Sequence, residues 1–261
     1  MEGMLDCLLK ALENLPIGKG RSYEKNPNQL NIVYAHHYLA KNGKWNENIR
    51  MSDIPLLQND KQCTVWEVGA HTSAADSQKM KKQYPHCTFH AFEPVPLFFD
   101  ELVTTLAHDP LHYVAHGYGL ANESGRFRID PNLLDGQGTY LGAPAVEVVL
   151  KDEEKPPQFG VLKTFEDAKK EAGNKAPSLL HVNCEGCEWT MMPQLLQNKF
   201  FLANIPLLQI NFHNYGETLG TRVVQYCNIV SELRKTHEPV HQIPFGWERW
   251  KRKDVPQEMA A

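Results

Sequence analysis

Two carboxylates and one glycine carry the first chemical signal in this chain. VWEVGAHTSAAD (65–76) ends an apolar β-type run, Cys63 to Val68, in a single Gly69 followed by small or polar residues. Glu67 lies within that run, and Glu93 follows a second one, Thr88 to Phe92, 26 residues further on. A strand, tight turn and helix, then a strand ending in an acid, is how doubly wound α/β folds hold a nucleoside. Backbone approaches it over the glycine, and the carboxylate accepts from the ribose hydroxyls. Gly69, Ala70, His71 and Ser73 make up the turn, with Glu93 and Pro94 as its partners. A dinucleotide wants Gly-x-Gly-x-x-Gly to seat its pyrophosphate, and here only Gly69 stands in register, with His71 and Ser73 in the stretch where further glycines are wanted. The pattern suits a nucleoside cofactor without phosphates, whose amino-acid end Glu67 could reach directly or through water. His71 reads either as a side chain pointing at cofactor or acceptor, or as a polar residue at a helix entry.

A second constellation is HVNCEGCEW (181–189) with LLQINFH (207–213). Glu185 and Glu188 flank Gly186 at a helix start, where acids are favoured by the dipole alone. The alternative is that Asn183 and Glu185 face the reacting centre, at the carboxyl end of the sheet where such folds bind ligands. His213 and Asn214 would then lie beside them. His213 is the candidate base, since its unperturbed pKa is near neutrality; a structural histidine is the competing reading. Cys184 and Cys187 form a lone CxxC, whereas zinc wants two further soft ligands with their own spacing. They read as core and helix-start thiols, and no metal is expected, a cation on Asn183, Glu185 and His213 being the minor alternative.

These residues need elements to position them. From Cys63 onward strand and helix patterns alternate: strand Cys63–Val68, helix Ser73–Tyr84, strand Thr88–Phe92, and helix Pro96–Ala107 with proline near its start. HYVAHGYGL (112–120) reads as a third strand, and Leu120, Ala121 and Asn122 at its end could line the pocket of the base. A β-rich excursion follows, GRFRID (125–130) and AVEVVLK (145–151) around a glycine-rich link. Then come a helix Thr164–Ala172 stopped by Gly173, the strand LLHVNC (179–184), a helix to about Asn198, the strand 207–213, a helix Thr221–Thr236 and a final hairpin, PVHQIPFGWERW. This alternation predicts an α/β fold: a mostly parallel sheet with helices on its faces and an antiparallel pair at the end. Residues 1–62 read as a helical appendage packed on a core domain of 63–261. It includes an amphipathic first helix and a possible second one, IVYAHHYLAKNG, whose adjacent His36 and His37 point apart and cannot share a ligand.

The bulk numbers set limits. At 261 residues the chain can bury a sizeable core. A net charge of −4 offers no general attraction to nucleic acid, and the one basic cluster, WERWKRK (247–253), reads as a solvated edge. No apolar run is long enough to span a membrane, and the N-terminus lacks a signal-type core. Six scattered cysteines in a chain this long read as reduced thiols, which points to a cytoplasmic setting.

From about Cys63 to His213 the sequence resembles the FkbM family of S-adenosylmethionine-dependent methyltransferases. VWEVGAHTS resembles the family's D-V-G-A-N-x-G, and AFEPVPLFFDEL its F-E-P-x-P followed by a helix. GYGLANESGRFRI, LKTFEDA, HVNCEGCEW and LLQINFH resemble its A-L-x-x-x-x-G, T-L-D-D, K-I-D-x-E-G-x-E and closing E-x-H segments, in the expected order. The resemblance implies a seven-stranded, Rossmann-like class I methyltransferase core with S-adenosylmethionine as cofactor. It also implies O-methyl transfer, here to a hydroxyl of a small molecule or glycan. This chain departs from the family at Ser73 (a glycine), Asn183 (an aspartate) and Asn211 (an acid). Those losses open a second possibility: a methyltransferase-like binding or scaffold protein that keeps the pocket without turnover.

Overall fold

The computed structural model describes Cys7, Met51 and residues 53–129, 158–213 and 219–260. Its centre is a seven-stranded sheet in the order β3-β2-β1-β7-β8-β10-β9. Five strands run parallel: β1 (Thr64–Val68), β2 (Thr88–Phe92), β3 (Tyr113–His116), β7 (Leu179–Val182) and β8 (Leu207–Asn211). The last two form the antiparallel end, β10 (Trp247–Arg252) pairing with β8 on one side and with β9 (His237–Gln242) on the other.

The parallel strands are near-continuous apolar runs because both of their faces are covered. Alternate residues of β1 point to opposite cores. Val65 packs with Phe89, Ala91, Leu179 and Leu207 beneath α1 (Pro55–Asn59), α2 (Ala75–Gln83) and α3 (Pro96–Leu106). Trp66 and Val68 face Phe92, Leu180, Val182, Leu208 and Ile210. That second face is closed by α4 (Phe165–Glu171), α5 (Glu188–Gln197), α6 (Lys199–Asn204) and α7 (Leu219–Thr236). The fold is therefore the Rossmann-like α/β arrangement, helices on both faces and an antiparallel pair at one end.

Several local expectations shift. The segment 112–120 is not one strand: after β3 the chain leaves the main sheet, and β4 (Gly119–Leu120) joins a three-stranded sheet, β4-β6-β5. The partner of β5 (Gly125–Ile129) there is β6 (Gln158–Lys163), which the pattern did not announce, and the proposed strand 145–151 lies outside the described residues. The helix after β7 ends at Asn198 as expected, but the Asn198 side chain accepts from the Phe201 N–H at 3.1 Å and starts a further helix, α6, which the sequence pattern did not announce. A short polar side chain capping a new helix outweighs continuation of the old one. Most of the N-terminal appendage, His36 and His37 included, also lies outside the described residues.

Two readings are overturned outright. The WERWKRK run is not a solvated edge: β10 lies inside the sheet, and Glu248, Arg249 and Lys251 are buried. The closing segment folds back to satisfy it, Val255 O accepting from Lys251 Nζ at 2.8 Å and Ala260 O from Arg249 Nη1 at 3.3 Å. The cysteines are not thiols either. They pair as Cys7–Cys227, Cys63–Cys87 and Cys184–Cys187. Chain separations of 220, 24 and 3 residues hide such a framework from any spacing rule. Disulfides persist in oxidising compartments, so the premise behind a cytoplasmic setting is gone.

Candidate functional site

The carboxyl ends of β1, β2, β7 and β8 converge, as they must in a parallel sheet, and most of the candidate residues stand there. Gly69 is left-handed (φ +89°), and its N–H, like that of Ala70, bonds Phe92 O at 3.0 Å. A Cβ on Gly69 would lie 2.2 Å from Asn183 O, so the turn needs glycine to pass the end of β7, whatever binds above it. His71 and Ala74 also take positive φ (+53° and +46°), and Ser73 O accepts from Gln78 Nε2 at 2.7 Å.

Glu93 is buried at the end of β2. One carboxylate oxygen accepts from the His71 N–H at 2.8 Å, the other from the Val95 N–H at 2.9 Å. Burial pushes its pKa up to about 7 against the pull of those two bonds. The His71 ring lies against Phe98 with centroids 4.2 Å apart, and its buried Nε2 has no hydrogen-bond partner. Burial lowers the His71 pKa, so the imidazole is neutral and the turn gains no cation from it. Pro94 packs under β4, where a Cβ on Gly119 would meet it at 3.2 Å, and Leu120 and Ala121, the next residues along, are buried.

Glu67 has a different employment from the one expected. It is buried on the α2 face and accepts from the Ser77 N–H at 2.9 Å in the first turn of that helix. Beside it on β7, fully buried His181 bonds Asp76 Oδ2 and Gln209 Oε1, both at 3.0 Å. Burial opposes charge on His181, but the bond to Asp76 and the nearness of Glu67 outweigh it and raise its pKa. The result is a buried histidine, its charged form favoured by the neighbouring acids, that ties α2 to β1, β7 and β8. The register Glu67↔His181↔Gln209 puts these residues on one sheet face, a placement sequence order does not display.

The second constellation does assemble. Asn211 Nδ2 donates to Asn183 Oδ1 at 3.1 Å and lies 3.1 Å from His213 Nε2. His213 Nε2 is also 3.4 Å from Glu185 Oε1, while its Nδ1 is 3.2 Å from Glu188 Oε1. Glu188, fully buried, also accepts from the N–H groups of His213 at 2.6 Å and Gly186 at 3.0 Å. Burial would depress the His213 pKa, but Glu188 and then Glu185 overcome it, and it stands at about 10. His213 is thus an imidazolium near neutral pH, which corrects the reading of it as a base poised at neutrality. Glu188, passed over as a helix-start acid, is what holds it. Asn214 lies outside the described residues.

No family model and no curated protein matches the chain. Solved structures do, at low identity. Aeropyrum pernix fibrillarin with natively bound S-adenosyl-L-methionine is 10% identical over 73% of this chain and 66% of its own, with a TM-score of 0.38. A precorrin-6y C5,15-methyltransferase from Geobacter metallireducens is 10% identical over 79% of this chain and 88% of its own (TM-score 0.39). A METTL16 methyltransferase domain is 11% identical over 97% of this chain and 80% of its own (TM-score 0.42). These likenesses are too distant to bear on function. The strand order, five parallel strands with an antiparallel β10 inserted before the last, is a Rossmann-like α/β arrangement. Among the described residues no helix is long and apolar enough to cross a membrane.

Proposed function

We propose that the chain is an S-adenosylmethionine-dependent methyltransferase of the FkbM type, acting on a hydroxyl of a small molecule or glycan. The observation that carries this is Glu93: a buried carboxylate at the end of β2, fixed by two backbone N–H groups beside the Gly69–His71 turn. Each of its oxygens keeps a lone pair for a ribose hydroxyl. The donor set fits a nucleoside and not a pyrophosphate, because His71, at the position of the second glycine, is bulky and neutral. In this reading Pro94, Leu120 and Ala121 flank the base, while Gly69, Ala70 and Ser73 supply backbone. Asn183 lies toward the reacting end, and Glu67 acts indirectly by holding α2.

When bound, the cofactor supplies an electrophilic methyl group, so orienting the acceptor oxygen in line can provide much of the acceleration. His213, protonated and held by Glu188 at Nδ1 and Glu185 at Nε2, takes no proton from the acceptor and instead keeps Glu185 in position. Glu185, the more exposed of the two acids at 32% of its side chain, is the group placed to receive that proton. A thermal-shift panel of S-adenosylmethionine, S-adenosylhomocysteine, NAD and UDP-sugars tests the cofactor. Stabilisation by NAD alone would sink the proposal. Release of S-adenosylhomocysteine across a library of hydroxyl acceptors tests the transfer.

One observation favours a second reading, binding without turnover. Asn183 and Asn211, which stand at the positions of carboxylates in the resembled family, are joined by one hydrogen bond, Asn211 Nδ2 donating to Asn183 Oδ1 at 3.1 Å. If S-adenosylhomocysteine release appears only after Asn183→Asp and Asn211→Glu, the unmodified chain is a binding protein.

A further inference from the structure

We propose that the Cys184–Cys187 disulfide is a reversible switch that shapes the candidate acceptor end of the site, opened by a dithiol reductant. The bond closes the ring Cys184-Glu185-Gly186-Cys187 between β7 and α5. Inside it, Glu185 and Gly186 both hold positive φ, +54° and +109°. For glutamate that conformation is unfavourable and persists only where the surroundings impose it. The same ring sets Glu185 Oε1 3.4 Å from His213 Nε2 and presents the Gly186 N–H to Glu188. Opening the ring removes the constraint on Glu185 while Glu188, anchored in α5, keeps its hold on His213.

The three disulfides differ in what they restrain. This one spans 3 residues, against 24 and 220 for the others. A cross-link closing the shortest loop removes least entropy from the unfolded chain, so the fold tolerates its opening best. Electrostatics orders the steps. Cys187 is the N-cap of α5, where a thiolate is stabilised, whereas Cys184 Sγ lies 3.4 Å from the Glu188 carboxylate, where it is not. A thiolate of the dithiol attacks Cys184 Sγ, the S–S bond breaks, and Cys187 leaves as thiolate and takes a proton. The second thiol of the reductant then attacks its own sulfur in the mixed disulfide and releases Cys184, which is protonated and can donate to Glu188. Two electrons and two protons pass from the dithiol, which ends as a disulfide.

That such a switch would govern methyl transfer rests on the function proposed above; the switch itself does not. The test therefore reads no activity. The full chain, purified without reductant, is treated with graded dithiothreitol, alkylated and mapped by peptide mass spectrometry, while histidine NMR follows the titration of His213. Cys184 and Cys187 should become labelled at lower dithiothreitol than the other four cysteines. In that state, and in Cys184→Ser/Cys187→Ser, the His213 pKa should fall by at least about one unit as Glu185 withdraws. Labelling of this pair last, its opening only with global unfolding, or an unchanged His213 titration after it opens would each overturn the proposal. If S-adenosylmethionine does not bind at all, these readouts still stand.

Discussion

At the scale of single residues, burial decides chemistry more than residue type does. Glu93 is titrated near neutrality because its carboxyl is buried, and the sign of the consequence follows. Its pKa rises from 4.5 to about 7, so its contribution to stability is complete below about 4.5 and lost as pH rises through about 7. The ionised form that the free fold disfavours is the one a ribose diol would bind. Cofactor affinity should therefore increase about tenfold between pH about 6 and about 8, by calorimetry, and the increase should vanish in Glu93→Gln. Loss of the carboxylate in Glu93→Ala should weaken binding about ten- to a hundredfold. Gly69 makes a purely steric claim. With φ +89° and Asn183 O 2.2 Å from any Cβ, Gly69→Ala should cost about 2–4 kcal/mol, seen as a fall in Tm of about 5–10 °C.

At the scale of elements, buried charges act as cross-links. Glu188 at the head of α5 reaches across to His213 just beyond β8, and the Trp189 indole N–H donates to His213 O at 2.6 Å from the same turn. Because the His213 pKa is raised to about 10, the stability it contributes is full below its ordinary value of 6.5 and lost as pH climbs through about 10. Denaturant unfolding across that range should show a decline. In Glu188→Gln the decline should shrink, and stability near neutral pH should drop by about 3–5 kcal/mol, because a buried imidazolium loses its main counter-charge. The triad of Glu67, His181 and Asp76 plays the same part for α2. It gives the acid inside β1 a structural task, holding the first turn of α2 beside the Gly69 turn.

At the scale of the whole molecule, the disulfides join distant parts of the chain. Cys7–Cys227 joins Cys7 to α7, and Cys63–Cys87 clamps the starts of β1 and β2. Thiol titration of the unreduced, denatured chain should find no free cysteine. On loop-closure entropy, Cys7→Ser/Cys227→Ser should cost roughly 5 kcal/mol and Cys63→Ser/Cys87→Ser roughly 3 kcal/mol, both measurable by urea unfolding.

The alternation of apolar runs with helical periods was enough to establish a parallel α/β sheet closed by a hairpin, because burial on both faces writes itself into each strand locally. The turn at Gly69 and the acid at Glu93 were legible for the same reason: a tight turn and a strand end are short-range features. What the tertiary structure alone decided are relations between residues far apart in the chain. The WERWKRK run became an interior strand because β9 closes over it. Scattered cysteines became three disulfides because the fold brings each pair within bonding reach. His213 became an imidazolium and His71 a neutral ring because a pKa is set by the charges and burial around a group, which no spacing records. His181 owes its place between two acids from other elements to strand register, which no local pattern displays.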